Sequence, residues 1–70
     1  MTWDMIDVKN SSNVASIGWK ENKLRVVFLS GQKYEYINVT EEKFLELANA
    51  ESKGSYLIRK IFPNHIAKRL

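Results

Sequence analysis

Lys23-Leu24-Arg25-Val26-Val27-Phe28 and Gln32-Lys33-Tyr34-Glu35-Tyr36-Ile37-Asn38-Val39, joined through Leu29-Ser30-Gly31, decide the fold. Leu24, Val26 and Phe28 alternate with Lys23, Arg25 and Val27, the period-two signature of a half-buried strand. Ser30-Gly31 supplies a turn, because glycine takes positive φ without steric cost. The following stretch sets Tyr34 and Tyr36 on one face and Glu35, Ile37 and Val39 on the other. Upstream, Val14 to Lys20 carries Ile17 and Trp19 at spacing two, and Glu21-Asn22 is a polar connection of hairpin length. The pattern predicts a three-stranded antiparallel meander. Trp3 to Val8 reads either as a fourth edge strand or as a loosely held arm within residues 1–10, and the sequence leaves both open.

At Thr40 the period changes. Thr40 is a good N-cap, Glu41 and Glu42 sit where the helix dipole favours negative charge, and Phe44, Leu45, Leu47 and Ala48 form an apolar stripe. A helix is predicted from about 41 to 51. Ser52-Lys53-Gly54-Ser55 interrupts it, and Tyr56 to Phe62 resumes helical spacing with Leu57, Ile58, Ile61 and Phe62 directed inward. Pro63-Asn64 stops that second helix. His65 to Leu70 reads as a final turn, with Ile66 and Leu70 at spacing four. The expected class is therefore α+β: a three-stranded, or with the arm four-stranded, antiparallel meander followed by two short helices, forming one domain over residues 11–70.

Composition narrows the function. The chain has 70 residues, no cysteine and one histidine. A domain this size buries only about 60% of the surface its unfolded chain exposes, so a core and a deep catalytic cleft compete for the same apolar residues. Without cysteine there are no disulfides, thiol nucleophiles or iron–sulfur ligands, and a lone histidine is too few for a closed zinc site. No enzyme, metal site or cofactor is expected. The apolar runs fall far short of the roughly 20 residues that span a bilayer. Met1 to Met5 carry an acid and no basic segment of a secretory leader. A cytoplasmic protein without membrane contact is the expectation.

Charge is unevenly placed. Residues 1–40 carry a net +1, residues 41–51 a net −3, and residues 53–70 a net +5, within an overall +3. The basic quarter is made of Lys53, Arg59, Lys60, Lys68 and Arg69.

Several residues are candidates for function, each with a plain structural alternative. Ser52-Lys53-Gly54-Ser55 precedes a helix, whose first N–H groups attract anions, with Lys53 to neutralise a phosphate. The alternative makes Gly54 the C-cap of the first helix and Ser55 the N-cap of the second. Tyr56, Arg59 and Lys60, at i, i+3 and i+4, share a face where an aromatic beside two cations suits a base and its phosphate. The alternative is a solvated helix face. Tyr34 and Tyr36 are either a stacking platform for bases or core-edge rings, with the core role favoured. Trp19 is expected in the core, and Trp3 as a contact residue or lid. His65 has no partner by spacing, and Ser11-Ser12-Asn13 suits a turn better than a nucleophile.

Ser11-Ser12-Asn13-Val14, Ile17-Gly18-Trp19, Leu24/Val26/Phe28, Ser30-Gly31, Tyr34-Glu35-Tyr36 and Ala50-Glu51-Ser52-Lys53-Gly54-Ser55-Tyr56, in this order, resemble the KTSC domain. That module of about sixty residues is named for its occurrence at the C-terminus of some lysyl-tRNA synthetases. The resemblance runs from Ser11 to Leu70 and implies a β-meander followed by helices, RNA binding, and a bacterial or phage setting. Ile58 stands where the family pattern has an asparagine, and Pro63 and His65 replace a glycine and an aromatic.

The leading expectation is a non-enzymatic module for a phosphate-bearing ligand, foremost RNA. Lys53, Arg59, Lys60, Lys68 and Arg69 would neutralise phosphate, Ser52, Gly54 and Ser55 would offer loop donors, and Tyr34, Tyr36 and Tyr56 would stack. One alternative shrinks the ligand to a small or cyclic nucleotide sequestered as a signal, as in a phage anti-defence sponge. Enclosing it would call for a second subunit, which leaves a homo-oligomer open. The other is a protein-interaction or assembly module using a strand edge or the acidic helix.

Overall fold

The computed structural model describes residues 5–9 and 11–70 and arranges them as an α+β domain. Five antiparallel strands lie side by side in chain order: β1 (Met5–Asp7), β2 (Val14–Lys20), β3 (Lys23–Phe28), β4 (Lys33–Ile37) and β5 (Ala67–Arg69). Between β4 and β5 come α1 (Glu41–Asn49) and α2 (Lys53–Tyr56), which runs directly into a π-helical turn over Leu57–Ile61. The meander of β2, β3 and β4 and the two helices follow the sequence pattern.

The strand count does not. Met5–Asp7 pairs with β2, Ile6 opposite Ile17, so this part of the N-terminal segment is an edge strand. The role expected of Trp3 lies outside the described residues. The final turn expected over His65 to Leu70 is instead β5, on the far edge. All three β5 residues are exposed, so no apolar alternation announces them. Backbone pairing makes the strand: the Ile37 N–H donates to the Ile66 carbonyl at 3.2 Å and the Leu70 N–H to the Lys33 carbonyl at 2.9 Å.

Register decides which face the helices cover. Ile6, Ile17, Val26, Tyr34 and Arg69 form one row across the sheet, and Trp19, Leu24, Tyr36 and Ala67 form the next. On this side Ile17, Leu24, Val26 and Tyr36 are buried with Leu47 of α1 and Tyr56, Leu57 and Ile61 of the second helical segment. Trp19 packs against this core as expected, its indole N–H donating to the Val39 carbonyl at 2.7 Å. Val39 is fully buried too, although strict alternation sets it on the opposite face with Glu35 and Ile37. Asn38 explains this, because its φ of 59° breaks the alternation and turns the chain toward the core.

The helices differ from expectation in length and phase. The Thr40 Oγ1 accepts the Lys43 N–H at 3.3 Å and opens α1. Ala50, in extended conformation, closes it two residues before the expected end. In the π-helical turn the Phe62 N–H donates to the Leu57 carbonyl, five residues back, at 2.8 Å. The wider turn shifts the helical phase. Leu57 and Ile61 stay in the core, but Ile58 is 60% and Phe62 41% exposed, a correction to their inward placement. Leu45 also leaves the expected stripe, at 51% exposed. Among the described residues no helix is long and apolar enough to cross a membrane.

Candidate functional site

Small residues bring two distant segments together. Ser11 starts a tight turn: its Oγ accepts the Val14 N–H at 3.0 Å and donates to the Asn13 Oδ1 at 3.2 Å. Against this turn lies the start of α2. Ser52 is the N-cap, its Oγ accepting the Ser55 N–H at 3.3 Å and donating to the Ser55 Oγ at 3.0 Å. Ser52-Lys53-Gly54-Ser55 is thus a cap followed by helix. Gly54 caps nothing and Ser55 is not the N-cap, so both sequence assignments are corrected. The Ser55 N–H is also already spent within the chain.

Gly54 has a packing reason instead. A Cβ built on it would stand 2.9 Å from the Asn13 Oδ1. Asn13 is exposed and its amide can swing, whereas alanine gains about 1 kcal/mol over glycine inside a helix. Gly54→Ala is therefore expected to change folding stability by no more than about 1 kcal/mol while displacing the Asn13 amide. NMR would show the displacement in the Asn13 side-chain resonances. A loss above ~2 kcal/mol by chemical denaturation would mean that the turn cannot yield.

The two segments enclose a polar hollow of about 340 Å³, lined by Lys9, Ser11, Ser12, Asn13, Ser52, Lys53, Gly54 and Ser55 with Val8, Glu51 and Ile58. Lys53 is half-buried, one ammonium N–H donating to the Ala50 carbonyl at 3.1 Å, which leaves two donors. Arg59 borders a neighbouring hollow with Ser52, Ser55 and Ile58.

Ser12 and Asn13 also line a wider groove of about 580 Å³ on the helix side of the sheet. Its walls are aromatic: Phe28, Tyr34, Tyr36 and Phe62, with Leu29 and Ala67, and Ser30, Gln32 and His65 at the polar margin. Tyr34 meets Phe28 edge-on at 5.8 Å between ring centroids, and Phe62 stacks on Tyr36 at 5.6 Å. Tyr36 is a core ring at 4% exposed, while Tyr34 is half-buried and turned to the groove. The π-helical turn is what brings Phe62 out of the core onto Tyr36. His65 is anchored after all. The Lys43 ammonium donates to its Nε2 at 2.8 Å, which assigns the ring proton to Nδ1, donated to the Ile37 carbonyl at 3.0 Å.

The groove also shares Ser30 and Gln32 with a hollow over the β3–β4 turn, lined by Arg25, Gly31, Lys33, Arg69 and Leu70 as well. Arg69 stands opposite Tyr34 on the groove side of β5, whereas Lys68, opposite Glu35, belongs to the other face. The basic C-terminal quarter is therefore not one cluster. Lys53 and Arg59 border the α2 hollows, Arg69 the β3–β4 hollow, and Lys60 is exposed on the π-helical turn.

Tyr56 is the clearest correction. It is 8% exposed and belongs to the core, and its hydroxyl donates to the Glu46 Oε1 at 2.7 Å. It shares no open face with Arg59 and Lys60. Burial, reinforced by the bond to Glu46 and its negative charge, pushes the Tyr56 phenol up to about 12. Burial, with the neighbouring Tyr34, does the same to Tyr36. A folded-state phenol above its ordinary value of 10 contributes stability that is complete below pH ~10 and is lost as pH rises toward ~12. The denaturant midpoint is expected to hold up to about pH 10 and fall through that window; a midpoint that rises there contradicts the assignment.

Lys9, Asn13, Phe28, Gln32, Lys33 and Phe62 line these surfaces and are not among the sequence candidates. Asn13 carried a signal, as one of a run of small polar residues beside a strand, but its pairing with Gly54, far along the chain, has none. Comparisons with known proteins agree with the frame. A family model described as the KTSC domain matches residues 10–65. A crystal structure of a KTSC domain protein from Yersinia pestis is similar over 99% of both chains, with a TM-score of 0.90 and 25% sequence identity. No curated protein matches the chain.

Proposed function

The chain belongs to the KTSC domain family, and on that frame we propose that it is a non-enzymatic, cytoplasmic RNA-binding module that seats an unpaired base in the aromatic groove. The observation that carries the reading is the juxtaposition of surfaces: an aromatic groove adjoined by two cation-bearing hollows. Lys9 and Lys53 border one hollow and Lys33 and Arg69 the other, and each hollow shares two lining residues with the groove. Single-strand binders combine these parts, with rings on which bases stack and cations that follow the backbone. Asn13 and Gln32 add amide donors and acceptors at the groove margin for the edge of a base.

The test is the salt dependence of oligoribonucleotide binding by fluorescence anisotropy. Each phosphate neutralised on a single strand contributes about 0.7 to the slope of log affinity against log salt, so four cations predict a slope of about −3. Absent or salt-independent binding overturns the reading. The groove volume also suits a free mononucleotide, since small-ligand pockets span about 300–1,000 Å³. That reading predicts thermal stabilisation by mononucleotides or cyclic nucleotides at concentrations where oligonucleotides give none.

A further inference from the structure

The sheet has a second face that the helices do not cover. Register places Met5, Gly18, Arg25, Glu35 and Lys68 in one row across it, Asp7, Ser16, Val27 and Lys33 in a second, and Lys20, Lys23 and Ile37 in a third. Five cations therefore share this face with two acids. Glu35 is buried and accepts from the Arg25 Nε–H at 3.0 Å. Among the described residues that is the one ion pair on the face, so Lys20, Lys23, Lys33 and Lys68 have no carboxylate within 4.0 Å. Lys20 stands directly opposite Lys23, and like charges facing each other across a strand pair are destabilising. An anionic partner relieves that repulsion.

The β3–β4 hollow supplies the route. Ser30 and Gln32 line it from the groove, and Arg25 and Lys33 line it from the face away from the helices. We infer that single-stranded RNA leaving the groove passes over the β3–β4 turn and is held by its phosphates on the face of the sheet away from the helices, at Lys33, Lys68, Lys23 and Lys20. This rests on the groove reading above and extends it from one base to a longer strand. Lys33 and Lys23, on neighbouring strands, lie four residues apart in register, about 13 Å along the sheet, so the surface suits a run of phosphates and not a single anion.

Length separates the two readings. A trinucleotide and a dodecanucleotide lie below and within the range of about 4–16 nucleotides that small single-strand modules cover. The triple variant Lys20→Gln, Lys23→Gln, Lys68→Gln leaves the lining of the groove and of both adjoining hollows untouched. For the dodecanucleotide its affinity is expected to fall about tenfold or more at low salt, with a slope shallower by about 2, one 0.7 step per lost contact. Trinucleotide affinity is expected to stay unchanged. An unchanged dodecanucleotide affinity overturns the inference, as does an equal loss for both probes, or wild-type binding to phosphatidylserine vesicles as tight as to the dodecanucleotide. If neither RNA binds the wild-type protein, the groove reading falls and this one with it. If the trinucleotide binds and the dodecanucleotide binds no tighter, only the second surface is lost.

Discussion

Leu47→Ala is expected to remove about 2–5 kcal/mol of folding stability, the range for truncating a buried leucine when the surroundings relax only in part. Leu47 is the one fully buried side chain of α1, and its methyl groups hold that helix against a sheet whose Ile17, Leu24 and Val26 are equally inaccessible. Domains are stable by only about 5–15 kcal/mol, and a small one lies near the lower end, so the variant approaches unfolding at room temperature. Chemical denaturation of Leu47→Ala beside Leu45→Ala checks this. Leu45 is half-exposed on the same helix and its truncation is expected to cost within about 0.5 kcal/mol. Equal losses would show that α1 is not anchored by this one side chain.

The second large effect falls on binding. Tyr34→Ala and Phe62→Ala are each expected to weaken oligoribonucleotide binding by about 1–3 kcal/mol, the usual value of one base stacked on one ring, or roughly 5- to 150-fold. Folding is less affected, because Phe62 is partly exposed and an aromatic pair such as Phe62 on Tyr36 adds only about 0.5–1.5 kcal/mol beyond area burial. Tyr56→Phe is the contrast. It deletes the hydrogen bond to the exposed Glu46 at the edge of the core and is expected to leave RNA affinity unchanged, even though Tyr56 sits beside two cations in the sequence. If Tyr56→Phe weakens binding while Phe62→Ala does not, the site lies on the helix and the groove is not the base pocket.

The contrast between those tyrosines shows where sequence reading succeeds. Strands β2 to β4 are legible because one-residue alternation and short turns are local properties, and Leu24, Val26 and Tyr36 hold their faces in the fold. The same rule misplaces Val39, because one left-handed residue at Asn38 resets the alternation. Tyr56 and Phe62 exchange places for a related reason. Helical spacing assumes 3.6 residues per turn, and the π-helical turn between them breaks it, so the expected surface ring is buried and the expected core ring emerges. Lys68 and Arg69 look like a continuation of one basic cluster until β5 pairs with β4 and deals them to opposite faces. Their charge is readable from composition, but their addresses depend on a pairing about thirty residues away in the chain.

That late pairing also sets the order in which the molecule comes apart. Turns of two to six residues join the first four strands, and closing such short loops costs little entropy. β5 returns to β4 only after both helices, and it repays the larger closure with three exposed residues and almost no buried apolar surface. Among the described strands it has the least buried surface to lose on opening, and local opening concentrates in such segments. When it peels away, Ala67 leaves the groove and Arg69 the adjoining β3–β4 hollow, while Ile17, Leu24, Val26 and Leu47 stay packed. The proposed binding surface is thus more fragile than the folded core, and the binding proposed for it would be lost first.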